Sequence, residues 1–205
     1  YSGMGFNRSV NTDPDGSYYA MRSVNSTKYL IIQSYKLEYS DTVTLLENLK
    51  NFEKIDEQDG FTIFKNKAYI PIGYSNSYYI SDDEYEKIAK SNRDNMLARA
   101  VVLTDEQIEK YGDILPELEP DRYSDFNYYT FEKDAQELAK TAVDTFTPTA
   151  NGFKATSSFT EDRFVTFTVP WESGWSATIN GEKAEIEKVN RGVMGIKVPA
   201  GECNI

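Results

Sequence analysis

The chain has 205 residues, 40% of them hydrophobic and 27% charged, enough to build one large or two small buried cores without disulfide staples. A net charge of -11 repels phosphate backbones, so nucleic acid is not an expected partner, and no stretch approaches the roughly 18 apolar residues that would span a bilayer. The complete absence of histidine removes the commonest general base and metal ligand, and with them any Ser-His-Asp or Cys-His arrangement.

Residues 1–25 are rich in Gly, Asn, Asp and Ser and hold the turn signal Asp13-Pro-Asp-Gly16, so they read as irregular loop. Lys28 to Gln33 is a short apolar run suited to a buried strand. From Asp41, Leu45, Leu46, Leu49 and Phe52 fall at helical spacing and predict a helix of about three turns. Asp59-Gly60 then joins Phe52 to Glu57 and Phe61 to Lys65 as a tight hairpin, with Ala68 to Tyr74 extended after it.

Ser81 followed by Glu84 is a capping signature and predicts a helix over about 82–99. Ala100 to Leu103 is extended, Thr104 with Gln107 opens a shorter helix, and the acidic stretch 116–125 reads as a surface loop. Phe131 to Phe146 predicts a helix with Ala135, Leu138, Ala139, Ala142 and Phe146 as its apolar stripe.

After Thr147-Pro148 the period falls to two: Phe164 to Val169, Trp175 to Asn180, Lys183 to Val189 and Val193 to Val198 read as strands. Asn180-Gly181, Asn190-Arg-Gly192 and Pro199-Ala-Gly201 supply the turns. A last strand opens at Glu202 and reads as cut short; with no initiating Met and no leader, both ends are expected to be excised from a longer chain. The expected fold is an α+β N-terminal subdomain, residues 1–147, followed by an all-β, sandwich-like module, residues 148–205.

The β-module run Val169-Pro-Trp-Glu-Ser-Gly-Trp-Ser-Ala-Thr-Ile-Asn-Gly-Glu-Lys183, followed by Val189-Asn-Arg-Gly-Val-Met-Gly-Ile-Lys-Val-Pro-Ala-Gly-Glu202, resembles the C-terminal extracellular segment of YfhO-type bacterial membrane proteins. Upstream, Met21 to Ile31, Phe64 to Tyr74 and Leu97 to Val102 with Leu103 are similar to that family's segments in the same order. The resemblance implies an extracytoplasmic region anchored through membrane helices outside this sequence. It implies a parent similar to lipid-linked-sugar glycosyltransferases of the GT-C kind, acting on cell-envelope polymers such as lipoteichoic acid, with its catalytic carboxylate on a loop this chain lacks. The expected partners are therefore the parent's own transmembrane region and a glycan or teichoic-acid acceptor.

No catalytic, cofactor-binding or metal-binding residues are assigned. Fifteen tyrosines, with doublets at Tyr18-Tyr19, Tyr78-Tyr79 and Tyr128-Tyr129, and two tryptophans are the candidate glycan contacts, because flat rings with a polar handle meet the C–H face of a pyranose. Trp171, Trp175, Tyr78, Tyr79, Tyr128 and Tyr129 carry that reading. Trp175 shares a strand face with Ala177 and Ile179 and reads first as core, whereas Trp171 sits in a turn and fits either role. Asp82, Asp83, Glu84 and Glu86 read as helix-start acids in preference to a metal cluster, and Cys203 lacks an internal disulfide partner. A structural domain without ligand and a secreted glycan hydrolase are the competing readings.

Overall fold

The computed structural model describes residues 19–39 and 49–205. Helices and short sheets dominate the first part, and antiparallel strands the C-terminal part, as expected from the change of period after residue 147. The Asp13-Pro-Asp-Gly16 turn and most of the helix expected from Asp41 lie outside the described residues.

The first described residues depart from the loop expectation, since Tyr19–Val24 form helix α1, burying Ala20, Ser23 and Val24. Strand β1 (Tyr29–Gln33) leads into helix α2 (Ser34–Tyr39). Strands β2 (Phe52–Gln58) and β3 (Phe61–Asn66) form the Asp59-Gly60 hairpin, whose two turn residues both adopt positive φ, 51° and 79°. The sheet order is β1-β3-β2, antiparallel throughout, with a bulge between Lys54 and Asp56. Its inner face packs Ile32, Phe52 and Phe64 with Leu49.

The segment 68–74, expected as a strand, is irregular and reaches the sheets only through Tyr74, which bridges both Ala142 and Thr166. Strand β4 (Tyr79–Ser81) pairs in parallel with β5 (Val101–Leu103). Between them the single helix expected over 82–99 is broken into α3 (Asp82–Lys87), a 3-10 turn at Lys90–Asn92 and α4 (Arg93–Leu97). Ser81 caps α3 as expected, but Ile88 turns extended, and buried Arg93 satisfies the freed carbonyls: its Nε donates to Ile88 O at 3.1 Å and its Nη2 to Glu86 O at 2.9 Å.

Helix α5 (Asp105–Tyr111) carries the expected Thr104 and Gln107 capping box in full. The acidic stretch 116–125 is not all surface, because Leu118 is fully buried, Tyr79 bridges Glu117, and Pro120–Tyr123 forms a 3-10 turn. Helix α6 (Tyr128–Ala139) starts and stops earlier than the apolar stripe suggests. Asn127 caps it by accepting from the Tyr129 and Thr130 amides, while Val143 N donates to Gly73 O and pulls the chain out of the helix before Phe146.

Two strands lacked a period-two signal: β6 (Thr145–Thr149), crossing the 147/148 boundary, and β7 (Gly152–Phe159). They pair with β13 (Gly201–Asn204) in the order β13-β7-β6. Strand β8 (Arg163–Pro170) and β12 (Val193–Val198) form a second sheet with β11 (Glu187–Val189). Strand β9 (Ala177–Ile179) and β10 (Glu182–Ala184) form the hairpin expected at Asn180-Gly181. Ala155, Val165, Phe167, Met194, Ile196 and Val198 fill the space between the two three-stranded sheets, giving a sandwich-like module.

The β8 and β12 sheet is covered on its other face too. Phe164, Val189 and Val193 belong to the N-terminal core with Tyr111, whose ring lies 4.7 Å from that of Phe164. Gly195 is what lets the Phe164 ring lie on the sheet, since a Cβ there would come within 2.5 Å of Cε1 and 2.6 Å of Cζ. Polar contacts seal the same joint: Val102 N donates to Asn190 Oδ1 at 2.8 Å, and Gln107 Nε2 donates to Glu187 Oε2 at 3.0 Å. Gly195→Ala is expected to cost about 1–3 kcal/mol through overpacking, read as a lowered urea midpoint. Gly174→Ala, where no atom lies within 4 Å of the added Cβ, should stay within about 0.5 kcal/mol.

Candidate functional site

The six aromatic candidates fall in separate places. Tyr129 is 80% exposed and stacks edge-on against Tyr128 at 5.2 Å, and Tyr128 in turn meets Tyr19 at 6.0 Å and donates its hydroxyl to Lys50 O at 2.8 Å. Tyr128 thereby ties the start of α6 to α1 and to the residues just before β2, while Tyr129 faces solvent. Tyr79 sits in β4 with its hydroxyl pKa raised, first by burial and then by Glu117. Trp171 is half-buried against the sandwich core, donates its backbone N–H to Gly192 O at 3.0 Å, and has Lys188 Nζ 5.8 Å from its ring centroid.

Tyr78 lines a cleft of about 600 Å³ between α6, the 121–125 turn and the segment that holds buried Ser75 and exposed Ser77. Arg99 forms its base. Its Nε donates to Asp134 Oδ2 at 2.6 Å, Nη1 donates to the carbonyls of Arg122 and Ser124 at 2.8 and 2.7 Å, and Nη2 donates to Asp125 O at 3.2 Å. One guanidinium thereby fastens the turn to α6, using four of its five N–H donors. Arg122 lies 5.5 Å over the Tyr78 ring, and Lys140 pairs with Glu137 at 2.6 Å. Charges of both signs line this wall, so the cleft suits a hydroxyl-rich ligand better than a bare anion.

Trp175 lines a second groove, of about 550 Å³, at the end of the sandwich. Its ring lies 6.0 Å from Phe153, which stands 4.9 Å from both Phe146 and Phe167, so an aromatic ladder runs from the groove into the core. Gly152 keeps the backbone close beneath the indole, where a Cβ would sit 3.2 Å from Cζ3. Strand β9 starts at Ala177, two residues later than expected, yet Trp175, Ala177 and Ile179 all pack on the same core. Asn151, Lys154 and Asn204 supply polar groups along the rim. The indole is thus core on one side and groove wall on the other.

Asp82, Glu84 and Glu86 of α3 have protein partners. Arg191 grips Asp82 through Nε and Nη2 at 2.6 and 2.7 Å and also pairs with Glu86, whose other oxygen accepts from Arg93 at 2.7 Å. The Tyr85 ring lies 5.4 Å from both guanidinium carbons. This is a clamp between the Asn190-Arg191 turn and the start of α3. Among the described residues no group of three or more His, Cys, Asp or Glu side chains could hold a metal ion.

Sequence reasoning missed Arg99, Asp134 and Asp94, although Arg99 within Leu97-Ala-Arg-Ala-Val-Val102 carries a signal: a charge embedded in an apolar run needs a buried partner. Asp94, at the start of α4, accepts from the Asn95 backbone and side-chain amides at 2.9 and 3.1 Å. Burial raises its pKa to about 6 against these bonds and one from the Met21 amide.

Residues 117–205 match the family model described as "Bacterial membrane protein YfhO". A relative from Bacillus subtilis (strain 168), described as "Uncharacterized protein YfhO", is 26% identical over 137 residues. Both matches support a YfhO-type bacterial membrane protein family. The aligned stretch covers 63% of this chain and only 15% of the relative. No solved structure gives a significant match. Among the described residues no helix is long and apolar enough to cross a membrane.

Asp94 gives this domain a definite pH signature. Its folded pKa lies above the ordinary carboxylate value, so the fold binds the proton more tightly than the unfolded chain, and its stability rises as pH falls through about 6 towards about 4. Asp94→Asn, which keeps an acceptor without the buried charge, is expected to raise stability at pH 7 by roughly 2–3 kcal/mol. It should also flatten the urea midpoint between pH 4 and 6; an unchanged pH profile would contradict this.

Proposed function

We propose that the chain is a non-catalytic extracytoplasmic domain of a membrane-embedded, glycosyltransferase-like protein, where it recognises or places a cell-envelope polymer such as lipoteichoic acid. The parent's transmembrane region would anchor it and carry the chemistry. The observation that carries this reading is the YfhO match over residues 117–205, a stretch that includes Trp175 and the whole of α6. Chemically, the Trp175 groove offers an indole face with amides on its rim, and the Tyr78 cleft offers mixed charges and hydroxyls, both suited to a sugar chain.

The 205-residue chain should bind lipoteichoic acid weakly in solution, and Trp175→Ala should weaken that binding roughly tenfold without changing the far-UV spectrum. Transfer of sugar from a lipid-linked donor by this chain alone would overturn the proposal. A structural domain with no glycan ligand is the second reading. It is favoured by the exposed apolar residues Tyr29, Ile31 and Phe61, and a glycan screen without binders would decide for it.

A further inference from the structure

The sheet β1-β3-β2 uses only one of its faces for its own core. Alternation sends Leu30 and Ile32 of β1, with Thr62 and Phe64 of β3, inward, and leaves Tyr29, Ile31 and Phe61 exposed at 48, 62 and 41%. The register sets Ile31 opposite Ile63 and Tyr29 opposite Lys65, so the apolar residues form one patch instead of scattered points. Tyr35, 56% exposed, follows immediately on α2.

Charge is distributed unevenly around this patch. Residues 28–67 hold six Lys and seven acids, close to neutral, in a chain whose net charge is -11. Lys28 Nζ lies 5.5 Å over the Tyr29 ring, and Lys65 stands beside the same ring across the register, while the acids Glu53 and Asp56 fall on the far strand, β2. Tyrosines and lysines framing exposed isoleucine and phenylalanine are the composition that settles at a lipid–water interface, with rings at headgroup depth and ammonium groups reaching back to water.

We infer that the exposed face of this sheet, on its β1 side, rests on the lipid bilayer surface. Residues 117–205 match a family of membrane proteins, so a lipid surface is the neighbour the patch has reason to meet. Among the described residues strand β1 has β3 as its one sheet neighbour, so its outer edge keeps backbone groups that need water or headgroup oxygens. The face therefore lies shallowly, at headgroup depth, and does not enter the hydrocarbon. The acidic stretch 68–147, with eight Lys and Arg against seventeen Asp and Glu, points away from the bilayer, since anionic headgroups would repel it.

The test is co-sedimentation of the 205-residue chain with phosphatidylcholine vesicles that contain no glycolipid, so that glycan binding plays no part. The chain is expected to partition onto them, and less onto vesicles enriched in phosphatidylglycerol at low salt. The double variant Ile31→Asp with Phe61→Asp should lower the partition coefficient roughly tenfold. Ile31→Gln, a milder change at an exposed site, should lower it by a smaller factor and guards against loss of folding, which circular dichroism reads directly. Tyr129→Asp and Trp175→Ala should leave it unchanged. Absence of vesicle binding, or equal binding by the face variants, overturns the inference. So does a dimer in sedimentation velocity that Ile31→Asp abolishes, which would give the face to a second copy.

Discussion

The fold depends on one sheet being buried on both faces. Strands β8 and β12 give Val165, Phe167, Met194 and Ile196 to the sandwich, and Phe164 and Val193 to the helical core. A strand pair in that position must be apolar at nearly every residue and tolerate no misplaced volume, and Gly195 is the point where the two demands meet. Because the Phe164 ring occupies the space a Cβ would fill, the sandwich and the helical body share a wall, and each completes the other's core. The Arg191 clamp and the Asn190 contact to β5 follow from this wall, since the β11 to β12 turn is carried over the start of α3.

Elements whose signal is local were legible in the sequence. Asp59-Gly60 and Asn180-Gly181 specify their hairpins through residues that accept positive φ, and Thr104 with Gln107 specifies a helix start through two reciprocal bonds. Elements decided by distant partners were not. Nothing near Ile88 announces a helix break, because the group that makes the break tolerable is the Arg93 side chain folding back on the Glu86 and Ile88 carbonyls. Likewise Ala142 and Phe146 continue a helical stripe in the sequence, but the Gly73 and Tyr74 backbone captures residues 142 and 143. Strands β6 and β7 escaped notice because Thr, Ser, Lys and Pro148 blur the alternation.

The candidate contacts were only partly legible for a related reason. An aromatic residue announces that it needs burial or a flat partner, but its environment comes from other segments. Trp175 acquires a groove because Gly152 and Asn204, from β7 and β13, converge on it, whereas Tyr128, equally prominent in sequence, is spent on holding α6 to α1. Arg99 could be suspected from its apolar neighbours, but its role as the base of a cleft arises from the carbonyls of a turn more than twenty residues away.

Electrostatics separates the two surfaces that face outward. The Trp175 groove belongs to the sandwich core, and the exposed face of β1 and β3 to a sheet with its own small cluster, so a change in one has no shared packing through which to disturb the other. A chain carrying a charge of -11 meets a bilayer most easily through a near-neutral part, and residues 28–67 are one. That preference turns the acidic stretch 68–147, with eight Lys and Arg against seventeen Asp and Glu, towards solution. The same field repels an anionic polymer, so a groove that takes one must win its affinity from ring contact and hydrogen bonds instead of long-range attraction. Binding there would strengthen with added salt, the reverse of what a basic, charge-driven site does.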